Sequence, residues 1–224
     1  MIRLKTIALA CVAVLAPLSV TAETTVEDII WNSPDAPATT TEAEDLARIE
    51  AYMDGIETLQ ARFYQTAPNR YVSTGTLSLQ KPGKLRFEYE PPSPLLVVSN
   101  GSAITLIDYD LKQVTRWPIN DTPLRPLVRA NLAFGDDVEI VDLERSDAWI
   151  RVSVVDPENR DEGTMRLVFK REPFELNQWE VIDGRGQVTI VALDDMEKNV
   201  ALDESLWKWD DPRPQRTRRL PGKR

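Results

Sequence analysis

The stretch "KPGKLRFEYEPPSPLLVVSNG", Lys81 to Gly101, decides the fold. It opens on a Pro-Gly turn and then alternates Leu85, Phe87 and Tyr89 with Arg86 and Glu88. Prolines crowd the middle, Leu95, Leu96, Val97 and Val98 follow, and Asn100-Gly101 closes it. Apolar residues at every second position mark a strand with one buried face. Proline lacks a ladder donor and so ends strands, while Asn-Gly signals a tight hairpin turn. The stretch reads as two short antiparallel strands. Their apolar face needs a cover, and nothing in the stretch itself carries chemistry.

The same rhythm extends both ways. Leu59, Ala61 and Phe63 alternate, and strand patterns recur at Gly75 to Gln80, Lys84 to Glu90, Leu95 to Ser99, Ala103 to Tyr109 and Gln113 to Pro118. They resume at Val138 to Arg145, Trp149 to Val155, Thr164 to Lys170, Leu176 to Ile182 and Gln187 to Asp194, making about eleven. Short turns such as Asp183-Gly184-Arg185-Gly186 join them. Such a succession predicts one large antiparallel sheet.

Two segments break the rhythm. Thr41 and Glu44 have the spacing of a capping box, and Ala43, Leu46, Ala47, Ile49, Ala51, Met53 and Ile56 follow at roughly helical spacing, with Gly55 near the end. The second is "NDTPLRPLVRANLAFGDD", in which Thr122 is the expected N-cap and Pro123 the residue after it. Leu124, Leu127, Val128 and Leu132 make its apolar stripe, and Pro126 predicts a short or irregular helix. Two helical segments are too little to fill a wide curved sheet. Pattern alone leaves two readings open: a packed core, or a greasy pocket under a helical cover.

The totals narrow the chemistry. The chain has 224 residues, enough for one domain with a real core, and a net charge of −9 with 36 acidic side chains against 27 basic. Nucleic acid is not an expected partner, because phosphate binding needs a basic face. There is no histidine, which removes Ser-His-Asp and Cys-His nucleophile systems and His-containing zinc sites. The single cysteine, Cys11, lies in a leader-like segment, so neither a disulfide nor a cysteine metal site is expected after processing. Neither catalytic residues nor a cofactor are expected. "LDDMEKN", with Asp194, Asp195 and Glu197, reads as an exposed turn after a strand.

The ends have their own composition. Residues 1–22 pair a basic start, Arg3 and Lys5, with an apolar run from Thr6 to Val20 and small residues up to Ala22. This is the pattern of a secretory signal peptide cleaved after Ala22, and it implies a periplasmic protein. A lipoprotein signal ending at Cys11 would have too short an apolar region. Residues 23–40 read as a flexible acidic arm carrying the apolar Ile29-Ile30-Trp31. Residues 41–212 form the expected domain, and residues 213–224 a basic tail.

Gly75 to Pro118 resembles the central motif of the LolA family of periplasmic lipoprotein carriers. The resemblance rests on Gly75, Lys81-Pro82-Gly83, the strand from Leu85 to Tyr89, Pro92, Val97 to Gly101, Asp108-Tyr109-Asp110 and Thr122-Pro123-Leu124. The preceding helix and "LQARFYQ", Leu59 to Gln65, fit as well. The resemblance implies an incomplete, unclosed antiparallel β-barrel of about eleven strands, mainly β, with a helical lid over an apolar cavity. It implies a non-enzymatic, monomeric carrier of triacylated lipoproteins bound for the outer membrane. The donor would be an inner-membrane LolCDE-type ABC release complex, driven by ATP, and the acceptor a LolB-type outer-membrane protein. On this likeness Leu85, Phe87 and Tyr89 face acyl chains, joined by Leu77, Leu79, Leu106 and Trp117. Leu124, Leu127 and Val128 form the lid helix. Where the family commonly has a lid-holding Arg, this chain has Lys81, a point charge rather than a planar fork, and Arg86 is a second candidate latch. A LolA-like sensor subunit and a carrier of another lipid are the rival readings.

Overall fold

The computed structural model describes residues 40–214 apart from residue 137. The expected leader, the Ile29-Ile30-Trp31 arm and nearly all of the basic tail lie outside these residues.

Helix α1, Glu42–Asp54, begins where the capping box places it: Thr41 accepts from the Glu44 amide, and Glu44 reaches back to the Thr41 amide at 2.7 Å. The strands are β1 Thr58–Thr66, β2 Val72–Gln80, β3 Lys84–Tyr89, β4 Leu95–Asn100, β5 Ala103–Asp108 and β6 Gln113–Pro118. After the short helix α2, Arg125–Val128, come β7 Glu139–Arg145, β8 Trp149–Val155, β9 Thr164–Arg171, β10 Phe174–Ile182 and β11 Val188–Lys198. All eleven form one antiparallel sheet in the order β6-β5-β4-β3-β2-β1-β11-β10-β9-β8-β7. β6 and β7 do not pair, so the sheet curls without closing into a barrel. The expected fold class is the one observed.

Strand alternation sorts the side chains. Phe63, Leu77, Leu85, Phe87, Val97, Leu167 and Trp179 belong to one continuous buried cluster on the concave face. Phe63 stands edge-on to both Phe87 and Tyr89, with ring centroids 5.1 Å apart in each pair. Gly75 leaves the room this needs, since a Cβ there would sit 2.7 Å from the Phe63 ring. A smaller cluster on the convex face joins Leu96, Val98 and Ile107, with Trp209 of the C-terminal segment packed on it.

Three local readings change. Thr122 is not an N-cap: α2 starts later with Leu124 at that position, and the buried Thr122 hydroxyl donates to the Ile119 carbonyl, 2.8 Å away. A 3-10 turn, Ile119–Asp121, takes up the chain first, Pro126 falls in the first turn of α2, and the extended backbone of Arg129 (ψ 152°) ends the helix after four residues. The segment with Asp194, Asp195 and Glu197 is not a turn but part of β11, where Asp195 at φ 49° marks an irregularity in pairing with β1.

The N-terminus of α1 is fixed by an ion cluster. Asp45 has no exposed surface, and its Oδ2 accepts from Arg171 Nη2 and Arg145 Nε, each at 2.8 Å. Thr40 donates to Oδ1 at 2.6 Å. Arg171 ends β9 and Arg145 ends β7, so one carboxylate ties the helix to two strands. Burial alone would raise the Asp45 carboxyl, but Thr40 and the two guanidiniums outweigh it and hold it below its ordinary value. Asp45→Ala strands two cations and should cost about 3–5 kcal/mol by urea unfolding at neutral pH. A folded carboxyl held low stabilises fully above its unfolded value of about 3.9 and loses that contribution as pH falls through the lower folded value. The gap between wild type and Asp45→Ala should therefore narrow below about pH 4. A gap that stays constant down to the acid transition would show that the carboxylate charge contributes nothing.

Candidate functional site: an apolar cavity under a short lid

Between the concave face and the two helices lies a cavity of about 20 Å³. That is room for about one water-sized group. Leu77, Leu79 and Leu85 wall it from β2 and β3, Leu176 and Trp179 from β10, and Leu127 closes it from α2. Met53, Ile56 and Leu59 complete the apolar wall, and Lys81 adds a cation. A second small cavity, about 10 Å³, lies on the other side of α2 between Pro123, Pro126, Val138, Val154 and Met165.

The structure gathers some of the expected residues and separates others. Leu77, Leu79, Leu85, Leu127 and Lys81 meet around the cavity. Phe87 lies one layer behind, 2% exposed, with its ring 6.1 Å from that of Trp179. Tyr89 is also set back, and its hydroxyl donates to Gln65 at 2.8 Å. Leu106 is half-buried against the core, and Val128 is buried within it. Leu124 packs partly buried against the same cluster. Trp117 sits on edge strand β6 opposite Ile104, half-buried and away from the cavity wall.

The two latch candidates also part company. Lys81 Nζ donates to the Met53 carbonyl at the end of α1, 2.6 Å away. Burial pulls its pKa down, while the nearby Asp54 charge pushes the other way. Lys81 thus holds α1, not α2. Arg86 faces the other side of β3, because alternation puts it opposite Leu85 and Phe87. There it donates to the carbonyls of Leu206 at 3.0 Å and Lys208 at 3.2 Å, holding the C-terminal segment to the convex face.

The lid has other fastenings. The Gly83 amide, in the turn between β2 and β3, donates to the Val128 carbonyl at 2.8 Å. Gly83 has φ 79°, and a Cβ there would meet Gly101 Cα at 2.6 Å, so the position requires glycine. At the front, Arg125 Nη1 lies 2.5 Å from Asp156 Oδ2. Behind α2, Asp54 accepts from the Leu132 amide at 2.8 Å and Glu50 from the Phe134 amide at 2.7 Å. These carboxylates stand one turn apart on α1 and face the same stretch of chain.

Glu50 and Asp54 escape a reading of the sequence, since on an amphipathic helix they look like solvated charges. Trp179 escapes it for another reason. Pairing shifts between Leu176 and Gln178, so Leu176 and Trp179 share a face although three residues apart. Among the described residues, no group of three or more acidic, His or Cys side chains could hold a metal ion.

Replacing both carboxylates, Glu50→Gln with Asp54→Asn, keeps helix and volume but weakens two charge-assisted bonds. Amide exchange at Leu132 and Phe134 should speed up by about tenfold or more, equivalent to roughly 1.4 kcal/mol. Exchange in β1 and β2 should not change. Unaltered protection at Leu132 and Phe134 would remove the two carboxylates from the fastening.

Comparison with known proteins places this geometry. Residues 54–210 match the family model described as "Outer membrane lipoprotein carrier protein LolA". An outer-membrane lipoprotein carrier protein of Methylococcus capsulatus is 28% identical over 184 residues, covering 78% of this chain and 88% of the relative. That of Chromobacterium violaceum is 30% identical over 193 residues, covering 80% and 87%. That of Pseudomonas aeruginosa is 31% identical over 176 residues, covering 74% and 83%. Among solved structures, the LolA superfamily protein NE2245 from Nitrosomonas europaea matches with a TM-score of 0.42 at 12% identity, covering 73% of this chain and 97% of that one. The extent of the family match and the identity to relatives covered over most of their length lead to one conclusion: the chain belongs to the LolA family of outer-membrane lipoprotein carrier proteins.

Proposed function

We propose that this chain carries triacylated lipoproteins across the periplasm, covering their acyl chains with its concave face. It receives them from an inner-membrane LolCDE-type ABC release complex and delivers them to the outer membrane, to a LolB-type acceptor where one exists. Residues 1–22 direct export as a signal peptide and leave after Ala22. Leu77, Leu79 and Leu85 meet the acyl chains first, with Phe87 and Tyr89 behind them, and the segment carrying Leu124, Leu127 and Val128 is the part that moves.

One observation carries this reading: an apolar concave face is covered by a four-residue helix that a few polar bonds hold down. Each CH₂ taken out of water is worth about 0.8 kcal/mol, so an acyl anchor does not leave a membrane unaided. A carrier must match that gain and still release its cargo. Apolar contact supplies the match without direction. Separate polar fastenings favour the closed state by a limited amount, and cargo shifts the balance by its better fit to the open one.

The test mixes the processed chain with a triacylated lipopeptide, or with the same peptide lacking acyl chains, and reads native mass spectra without detergent. A one-to-one complex with the acylated peptide alone is expected; equal capture of both peptides, or of neither, sinks the reading. Leu127→Ala removes the lid residue that fills the cavity and should destabilise the closed protein by about 2–4 kcal/mol. It should also bind lipopeptide more tightly than wild type, because less closed-state energy opposes opening. Weaker binding would mean that Leu127 belongs to the cargo site rather than to the cover.

A further inference from the structure

Trp179 is the unusual member of the cavity wall. It is 2% exposed and among the largest fully buried side chains, and its indole Nε1 has no hydrogen-bond partner. Its neighbours across the sheet are Leu167 on β9 and Val191 on β11, and Phe87 stands beside its ring. None of these side chains can accept a hydrogen bond. A phenyl ring would serve packing here without the penalty of about 1–3 kcal/mol for a buried unpaired donor. Trp207 also has an unpaired indole N–H, but it lies in the C-terminal segment with Lys84 Nζ 5.5 Å from its ring, away from the cavity.

We propose that the Trp179 indole is the polar recognition group of the cavity and donates to a carbonyl oxygen where an acyl chain joins its carrier. This rests on the carrier reading above and adds what the site distinguishes. Bare hydrocarbon gives an apolar wall nothing to tell one greasy ligand from another. Acyl chains differ from alkyl chains at one place, the ester or amide carbonyl, which accepts and never donates. The other donor in the wall, Lys81, is already bound to the Met53 carbonyl, so the unpartnered indole selects for that group, a stronger acceptor than an ether oxygen. Leu127 of the lid lines the same cavity as Trp179, so withdrawal of α2 enlarges the space beside the indole.

The experiment uses two dipalmitoyl-type lipopeptides of equal chain length, one ester-linked and one ether-linked, each with a fluorophore on the peptide. Affinities are read by anisotropy for wild type and Trp179→Phe. Wild type should bind the ester about fivefold to tenfold more tightly, the span of one ordinary hydrogen bond. Trp179→Phe should bind both equally, at the affinity wild type shows for the ether. Should Trp179→Phe fail to fold, the Nε1–H resonance of ¹⁵N-labelled wild type serves instead: it should move downfield with the ester and not with the ether. A variant that keeps the ester preference, or a resonance that moves equally with both lipids, overturns the recognition role and leaves the carrier reading standing. Binding of neither lipid by wild type overturns the carrier reading itself, and this proposal with it.

Discussion

A carboxylate with no exposed surface sits between two guanidiniums at one end of α1, and the cover of the sheet depends on it. Asp45 binds Arg171 and Arg145 from two strands, and Lys81 binds the Met53 carbonyl at the other end of the helix. Asn199 adds a third tie, accepting from the Glu57 amide and donating to the Gly55 carbonyl, each at 2.9 Å. A helix of 13 residues is marginal in isolation. Held at both ends, it becomes part of the frame, and its carboxylates Glu50 and Asp54 become fixed acceptors. The segment after α2 then has something rigid to close against. Under the proposed carrier function α1 therefore stays with the frame, and the segment carrying α2 is the part that moves.

The unclosed edge makes such a cover necessary. In a closed barrel every strand has two partners and the interior is reached only from the ends. Here β6 and β7 remain apart, and the chain between them crosses the interior instead. α2 is a single turn that ends at the extended Arg129, so the crossing segment contributes little helix of its own and depends on bonds from its surroundings. Those bonds include a turn amide at Gly83, the Arg125–Asp156 ion pair, the α1 carboxylates and the Asn159 side-chain amide, which donates to the Asn120 carbonyl. Asp156 is well placed for this. Burial would raise its carboxyl, but the Glu158 amide, Arg125 and Asn159 hold it below its ordinary value and thus charged.

Where one physical pattern acts alone, the sequence is legible. Alternation in β3 places Leu85, Phe87 and Tyr89 on one face, and the Thr41–Glu44 spacing marks the start of α1. Legibility ends where two patterns compete. Thr122 followed by proline has the look of a helix start, yet the preceding 3-10 turn claims its hydroxyl. The irregular pairing near Asn177 and Asp195 resets strand parity, which hides Trp179 and turns an apparent loop into strand. Arg86 has the charge of a latch, but its parity sends it to the convex face. Glu50 and Asp54 gain their partners only through residues some eighty positions away, beyond any local spacing rule.

The fastening at Gly83 differs in kind from the others. Its donor and its acceptor are both main-chain groups, and the turn is wedged against Gly101 while Ser99 Oγ donates to the Gly83 carbonyl at 2.7 Å. Substitution can break that corner, but no side chain can be exchanged to make it a little stronger or weaker. The carboxylates at Glu50 and Asp54 can be lengthened, shortened or neutralised one at a time without disturbing the sheet. Under the proposed carrier function, heritable adjustment of the closing strength has one fixed stop and movable settings at Glu50, Asp54 and the Arg125–Asp156 pair, and a lineage meeting a different cargo can retune the settings while leaving the stop untouched.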